Sequence, residues 1–132
     1  MLSIFPDLLV YTLVAPVILR LSAGILLFVW GIKSFGNEKH AMASRLSEWN
    51  LSGKHAVLVL GLIEIVVGVF IVAGSWTQPS ALIATIITAV LAYISRKESF
   101  GGATSLVYLL VAIISCSLLF TGPGFFAFDL PL

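Results

Sequence analysis

Four long apolar stretches dominate this sequence of 132 residues and limit the folds open to it. About 20 consecutive apolar residues, wound as an α-helix, are needed to cross the hydrocarbon core of a bilayer. Each stretch comes close to that length and is bounded by glycine, proline or polar residues. The sequence therefore predicts four transmembrane helices, over about residues 15–35, 56–73, 79–95 and 103–120.

Composition argues against a water-soluble fold. Hydrophobic residues make up 60% of the chain and charged residues only 10%, whereas soluble domains average about half apolar and about a quarter charged. Seven basic and six acidic side chains cannot cover the surface of a soluble domain of this size. The net charge of +1 argues against nucleic-acid binding, because phosphates require a basic field. Since the length fits one domain, we predict a single all-α four-helix transmembrane bundle over residues 1–132.

The first apolar stretch, from Leu8 to Phe35, is longer than one crossing requires. Pro16 lies inside it, and proline is well suited to the first turn of a helix. The favoured interpretation is a short interfacial segment over residues 4–14, followed by a spanning helix that begins near residue 15. The alternative is one long, tilted helix with a kink at the proline.

The one sizeable polar segment covers residues 36–54, between the first two spans. Met42, Leu46 and Trp49 recur there at helical spacing, and Asn37 is a candidate N-cap. This pattern predicts a short amphipathic helix that lies on the membrane surface. An ordinary solvated loop is the alternative.

The basic residues indicate the orientation of the bundle. With four crossings, the first and third connections share one side of the membrane, and the second connection and both termini share the other. The positive-inside rule therefore places loops 36–54 and 96–102 in the cytoplasm and both termini outside. The second side carries no lysine or arginine, and the first carries Lys33, Lys39, Arg45, Lys54, Arg96 and Lys97.

Two charged side chains fall inside predicted spans, Arg20 in the first and Glu64 in the second. A charge in hydrocarbon is costly, so each is a candidate functional or structural position. Counted from Lys33 and Lys54 at the cytoplasmic boundary, Arg20 lies about 20 Å deep and Glu64 about 15 Å deep, at about 1.5 Å per residue. An arginine side chain can cover the resulting offset of about 5 Å. A buried pair of these opposite charges is therefore feasible.

Three roles remain open for this candidate pair. It could be a polar clamp that fixes the helix register, or a ligand or quinone site in which Arg20 binds a carbonyl or anionic group and Glu64 relays a proton. In the third, the charges face different partners, or Arg20 extends toward the interface. Gly24, Gly61 and Gly68 lie about one turn from the charges and predict close helix packing on that face. Room for a ligand is the alternative reading of these glycines.

The remaining candidates for chemistry are few. His40 and His55 have no third ligand at a recognisable spacing, so no metal site is predicted. The single cysteine, Cys116, cannot form an internal disulfide or a redox pair. The sequence contains no phosphate-binding loop or nucleophile motif, and whether the chain is an enzyme stays open. We expect all three tryptophans to anchor the bundle at the membrane interfaces, namely Trp30, Trp49 and Trp76.

Three groups of residues follow one another along the chain in an order and spacing typical of one family. They are Leu19-Arg20-Leu21 with Gly24 and Gly31-Ile32-Lys33, then Gly61-Leu62-Ile63-Glu64 with Gly68, and the tail Gly122-Pro123-Gly124-Phe125-Phe126-Ala127-Phe128-Asp129. Together they resemble the DoxX family of small four-helix membrane proteins. The tail departs from the family at Phe126-Ala127-Phe128, where a more polar aromatic–serine run is expected.

This resemblance implies a four-helix bundle and a link to membrane redox chemistry, since the family takes its name from a subunit of a thiosulfate:quinone oxidoreductase. It also implies polar family positions at Arg20, Lys33, Glu64 and Asp129. The leading hypothesis is an accessory subunit of a membrane redox complex, close to quinone and in contact with membrane or peripheral protein partners. A structural or chaperone-like module without a site ranks second, and a small transporter or channel that uses Arg20 and Glu64 ranks third. Glycine-rich helix faces are also compatible with a homo-oligomer.

Overall fold

Helices account for almost all of the chain that the structure describes. A computed structural model describes residues 14–36, 39–47, 53–96 and 103–122. The predicted all-α bundle of four apolar helices is confirmed, and the additional short helix is present in the first polar segment. In chain order the helices are α1 (Val14–Phe35), α2 (Lys39–Ser47), α3 (Gly53–Ala73), α4 (Thr77–Ile94) and α5 (Ser105–Thr121).

The apolar helices have the length and surface of membrane-spanning segments. Within the described residues, α1, residues His55–Ala73 of α3, and α4 are long and apolar enough to cross a membrane, and α5 is a shorter apolar helix of 17 residues. Large aliphatic side chains point away from the bundle on every one of these helices, for example Ile18, Val59, Ile86 and Ile113. An apolar outer surface on this scale requires lipid rather than water around it. The protein is therefore in contact with the bilayer.

The helix ends agree with the predicted spans to within about three residues. Pro16 lies in the first turn of α1, where its missing N–H leaves no hydrogen bond unmade. The interfacial segment predicted over residues 4–14 falls almost wholly outside the described residues, so both interpretations of the first stretch stay predictions. In α2, Met42 and Leu46 are buried, which confirms the predicted apolar face. Asn37 and Trp49 lie outside the described residues.

Glycines hold α1 and α3 together as an antiparallel pair. A Cβ atom placed on Gly24 would lie 2.9 Å from the carbonyl oxygen of Gly68, and one on Gly31 would lie 2.7 Å from that of Gly61. The converse is also true, because a Cβ on Gly68 would lie 2.8 Å from the carbonyl oxygen of Gly24. The two backbones are therefore in direct contact. This is the close approach that small residues allow between helices in a membrane.

The second tight pair is formed by α4 and α5. Most of the contacts of α4 are with α5, and the buried face of α4 carries the small residues Ala81, Ala84 and Thr88. The hydroxyl of Ser105, at the start of α5, donates a hydrogen bond of 2.6 Å to the carbonyl oxygen of Ala92. This bond joins the two helices at one end. Contacts of α3 with α4 and of α1 with α5 then close the bundle.

Trp30 corrects one prediction from the sequence. It is not an interface anchor, since only 4% of it is exposed and its ring packs against that of Tyr108, with the centroids 4.3 Å apart. Its position on the same face of α1 as Leu27 and Ser34 turns the ring toward α5. Trp76, in the turn between α3 and α4, is 71% exposed and fits the anchoring role.

The glycine contacts make a prediction about stability. Gly31→Ala would force a methyl group against the backbone of α3, and we expect it to reduce the free energy of unfolding by about 1–3 kcal/mol. The matched control is Gly36→Ala, whose added Cβ would meet only the carbonyl oxygen of Lys33, at 3.4 Å. Denaturant unfolding in detergent micelles measures both variants. Equal unfolding midpoints for the two would contradict direct backbone contact at Gly31.

Candidate functional site

Arg20 lies on the buried face of α1. Only 3% of the residue is exposed, and Ala23, Gly24 and Leu27 continue the same face along the helix. Pro16 begins this face one turn earlier. The sequence placed Arg20 inside a span, and the structure places it inside the bundle as well. A guanidinium held there is desolvated, which a membrane protein tolerates only with polar groups or water nearby.

Glu64 occupies the middle of α3, about 15 Å from either end of the helix. Only 2% of it is exposed. It projects between the two glycines, Gly61 and Gly68, that carry the backbone contact with α1. A carboxyl group at this depth lies near the centre of the hydrocarbon layer. Such a position is costly for a charged group and is typically functional.

The glycine contacts fix the register between these two helices. Gly24 lies against Gly68 and Val72, and Gly31 lies against Gly61 and Ile65. In an antiparallel pair, residue numbers rise along one helix in the direction in which they fall along the other. Glu64 is therefore level with about residue 30 of α1, and Arg20 is level with about residue 74, just beyond the end of α3. The two levels differ by about ten residues, or about 15 Å along the axis.

This separation corrects the offset of about 5 Å that the sequence suggested. The sequence estimate assumes that Lys33 and Lys54 lie at one depth, but Ser34 packs against Gly61, so Lys33 is level with about Gly61. Lys54 lies seven residues, or about 10 Å, farther along α3. Arg20 and Glu64 share the bundle interior but not a level. We therefore treat them as two interior polar positions.

Two buried hydroxyl groups belong to the same interior. The hydroxyls of Thr77 and Ser115 are completely buried, and neither has a hydrogen-bond partner in the part of the chain that the structure describes. Thr77 follows the turn after α3 and is level with Arg20. Ser115 is two turns beyond Tyr108 on α5, between the levels of Glu64 and Arg20. A buried hydroxyl without a partner costs about 1–3 kcal/mol, so both are open to a polar ligand or water.

Toward the middle of α4, the threonine hydroxyl groups already have hydrogen-bond partners. Thr85 donates to the carbonyl oxygen of Ala81 at 2.7 Å, and Thr88 donates to that of Ala84 at 2.6 Å. Such bonds from a threonine hydroxyl back to its own helix satisfy the donor without a partner from another helix. Of the buried hydroxyls without a partner in the described residues, those of Thr77 and Ser115 lie in the half of the bundle that contains Arg20, and that of Ser95 lies at the opposite end, just after α4. Because the sequence predicts that this end faces outside, we name this half, with Arg20, Thr77 and Ser115 in its interior, the outer half.

The other candidate residues lie elsewhere. Lys33 is half-buried near the opposite end of the bundle, in the last turn of α1. Asp129 lies outside the described residues. Among the described histidine, cysteine, aspartate and glutamate residues, no group of three could hold a metal ion. His40 and His55 are therefore not part of such a group.

The DoxX family model matches residues 15–96, which is more than half of the chain. The chain belongs to the DoxX family. No curated protein and no solved structure matches it significantly.

The DoxX match covers the polar positions in α1 and α3 but not the end of the chain. Arg20, Lys33 and Glu64 lie within the matched residues, and so does Thr77 at the start of α4. The tail that ends in Asp129 lies beyond the match, and its resemblance to the family stays a prediction.

Sequence reasoning missed Thr77 because the third span was predicted to begin at Pro79. The helix in fact starts two residues earlier, so Thr77 lies in its first turn. A usable signal was present. Thr77, Ala81, Ala84 and Thr88 form a stripe of small residues at helical spacing, which marks a buried face.

The separation of Arg20 and Glu64 can be tested with a double-mutant cycle. Residues more than about 7–10 Å apart with no shared partner contribute almost additively to stability. We expect the effects of Arg20→Ala and Glu64→Ala on the free energy of unfolding to sum within about 0.5 kcal/mol.

A positive control for this cycle is available in the same bundle. Trp30→Ala and Tyr108→Ala remove two rings in contact and should show a coupling of about 0.5–1.5 kcal/mol. Unfolding in detergent measures both cycles. A comparable coupling between Arg20 and Glu64 would instead support direct pairing.

Proposed function

We propose that this DoxX protein is an accessory membrane subunit of a quinone-linked redox complex and that its outer half receives the quinone headgroup. The observation that carries the proposal is the burial of Arg20 in the same half of the bundle as two completely buried hydroxyls that lack partners. Polar groups inside a membrane bundle are costly and are retained where they serve a ligand or a pathway. Membership of the DoxX family, which takes its name from a subunit of a thiosulfate:quinone oxidoreductase, supports the proposed link to membrane redox chemistry.

The donors suit a carbonyl compound. The guanidinium of Arg20 only donates hydrogen bonds, and the hydroxyls of Thr77 and Ser115 can donate as well as accept. A quinone headgroup offers two carbonyl oxygens on an apolar ring, and it takes up two electrons and two protons when it is reduced. A charge-assisted bond from Arg20 would hold one oxygen in a fixed orientation. This chain then binds and positions the quinone, and the partner subunits deliver the electrons.

Glu64 has a separate part in the proposal. It lies below the outer half, near the centre of the bundle, where a carboxyl group can accept or release a proton within the membrane. Ser115 lies between its level and that of Arg20. We therefore assign proton exchange between Glu64 and a quinone in the outer half to the interior face that carries Ser115. The carboxyl group supplies a proton or takes one up, and it forms no covalent bond to the ligand.

We also propose that the end opposite the outer half faces the cytoplasm. Within the described residues, Lys33, Lys39 and Arg96 lie at that end, and we name it the inner end. The sequence adds Arg45, Lys54 and Lys97 to the same connections. Positive residues flank membrane helices preferentially on the cytoplasmic side.

Quinone binding gives the first test. A short-chain quinone should raise the thermal unfolding midpoint of the purified protein, and Arg20→Ala should weaken binding at least about tenfold through the loss of a charge-assisted hydrogen bond. The control is Lys39→Gln, which removes one positive charge at the inner end and should bind quinone like the unaltered protein.

Assembly gives the second readout of the same variant. If Arg20→Ala binds quinone normally and still co-purifies with its partners in a complex that reduces quinone normally, the proposal is wrong. If quinone binding fails for the unaltered protein while replacement of both Arg20 and Glu64 by leucine leaves the partners bound, the chain is a structural module.

The orientation has its own test. In a Cys116→Ser background, Ser75→Cys lies in the turn between α3 and α4, and Lys39→Cys lies at the start of α2. A membrane-impermeant thiol reagent added to spheroplasts should label Ser75→Cys at once and Lys39→Cys only after the membrane is permeabilised. Labelling in the reverse order would place the inner end outside.

A further inference from the structure

An apolar groove opens at the inner end of the bundle, between α2, α3 and α4. It has a volume of about 160 Å³, and its lining includes Leu46 of α2, Leu60 of α3 and the α4 residues Ile86, Val90 and Ile94. The three α4 residues are spaced four apart, so they form one continuous strip along the helix. Val90 is 51% exposed in this strip, which leaves the groove accessible from the side. We name it the inner groove.

The position of the inner groove determines the chemistry of its occupant. Val90 and Ile86 belong to a helix that is apolar and long enough to span the membrane, so the groove lies within the hydrocarbon layer. Its lining side chains are aliphatic, and they offer no side-chain hydrogen bond. Only a hydrocarbon chain fits such a surface without leaving polar groups unpaired.

A positively charged residue, Arg96, follows the last groove-lining residue of α4 along the chain. Arg96 follows Ile94 by two residues, and its guanidinium carbon lies 5.0 Å from the centre of the Tyr93 ring. This cation–π contact orients the guanidinium while Arg96 remains exposed. A guanidinium presents paired N–H donors that match a phosphate group. Lys33 and Lys39 add positive charge at the same end.

We propose that the inner groove is a binding site for an anionic phospholipid, with an acyl chain along Ile86, Val90 and Ile94 and the phosphate on Arg96. The charge at the end of the groove complements an anionic headgroup, and the aliphatic strip beneath it complements the chain. Basic pockets between membrane helices on the cytoplasmic side are suited to such lipids. The bound lipid would also connect α2 to α4, because Leu46 lines one wall of the groove and α4 lines the other. This site lies at the opposite end from Arg20 and does not depend on the quinone proposal.

Lipid retention measures the headgroup contact. The purified protein is titrated with phosphatidylglycerol or with phosphatidylcholine of the same acyl chains, and native mass spectrometry counts the bound lipids. We expect preferential retention of phosphatidylglycerol. Arg96→Gln should weaken it at least about tenfold, as for the loss of a charge-assisted hydrogen bond. Lys39→Gln, which removes the same charge at the same end, should weaken it no more than about fivefold, as for a general surface charge.

A second pair of variants tests the groove itself. Val90→Phe fills the inner groove and should also reduce phosphatidylglycerol retention. Its control is Val69→Phe, the same change in a separate apolar groove between α1 and α3, where Val69 is exposed to a similar extent. That control should retain the lipid.

Three results would overturn the proposal. They are equal retention of the two lipids, equal losses in Arg96→Gln and Lys39→Gln, and unchanged retention in Val90→Phe. Thermal unfolding of each variant without added lipid checks that the bundle is intact. The quinone result can fail or succeed independently, since Arg96, Lys39 and Val90, whose substitutions are expected to affect the lipid, all lie toward the inner end.

Discussion

Direct contact between the backbones of α1 and α3 determines the rest of this structure. Apolar side chains gain little by leaving lipid for one another, so close packing must supply what the hydrophobic effect supplies in water. Gly24 and Gly31 allow the carbonyl groups of α3 to approach to a distance that no side chain would permit. The resulting register places Glu64 level with about Trp30, and Trp30 in turn packs on Tyr108 of α5. The relative depth of Arg20 and Glu64 thus follows from the glycine contacts.

Polar groups are distributed unevenly along the bundle. The outer half holds Arg20 and two buried hydroxyls in its interior, whereas the described basic residues of the inner end lie at or near the surface. Glu64 lies between these regions. The two proposed ligands therefore occupy different leaflets, a quinone headgroup inside the bundle in one and a phospholipid on its surface in the other. One small bundle can serve both because the sites share no residue.

The sequence predicted the helices well because hydropathy and periodicity are local properties. Each apolar stretch became a helix, and the spacing of Met42 and Leu46 gave the buried face of α2 correctly. Relative depth between helices is not local, and it was misjudged. Lys33 and Lys54 flank a connection that contains a helix of its own, so they do not mark one level. Only the contacts of the glycines determine the register.

Individual side chains near span ends were also misassigned for a physical reason. Trp30 lies only three residues from Lys33, and in sequence that position suggests the interface. Trp30 is buried because its side chain projects from α1 toward Tyr108 on α5. Thr77 was overlooked because proline at position 79 suggested a later helix start. In both cases the burial of a residue depended on a partner helix that is distant in sequence.

The two helix pairs differ in length, and this has a consequence for the surrounding bilayer. α1 and α3 contain 22 and 21 residues, and α4 and α5 contain 18 and 17. Only 19 residues of α3, His55–Ala73, form its apolar span, so at about 1.5 Å per residue the spanning helices of the first pair are longer by about 4 to 5 Å on average. A flat bilayer cannot match both sides unless the taller pair tilts or the lipid thins beside the shorter pair, and each adjustment costs a fraction of a kcal/mol per Å. A partner that shields α4 and α5 from lipid relieves that mismatch.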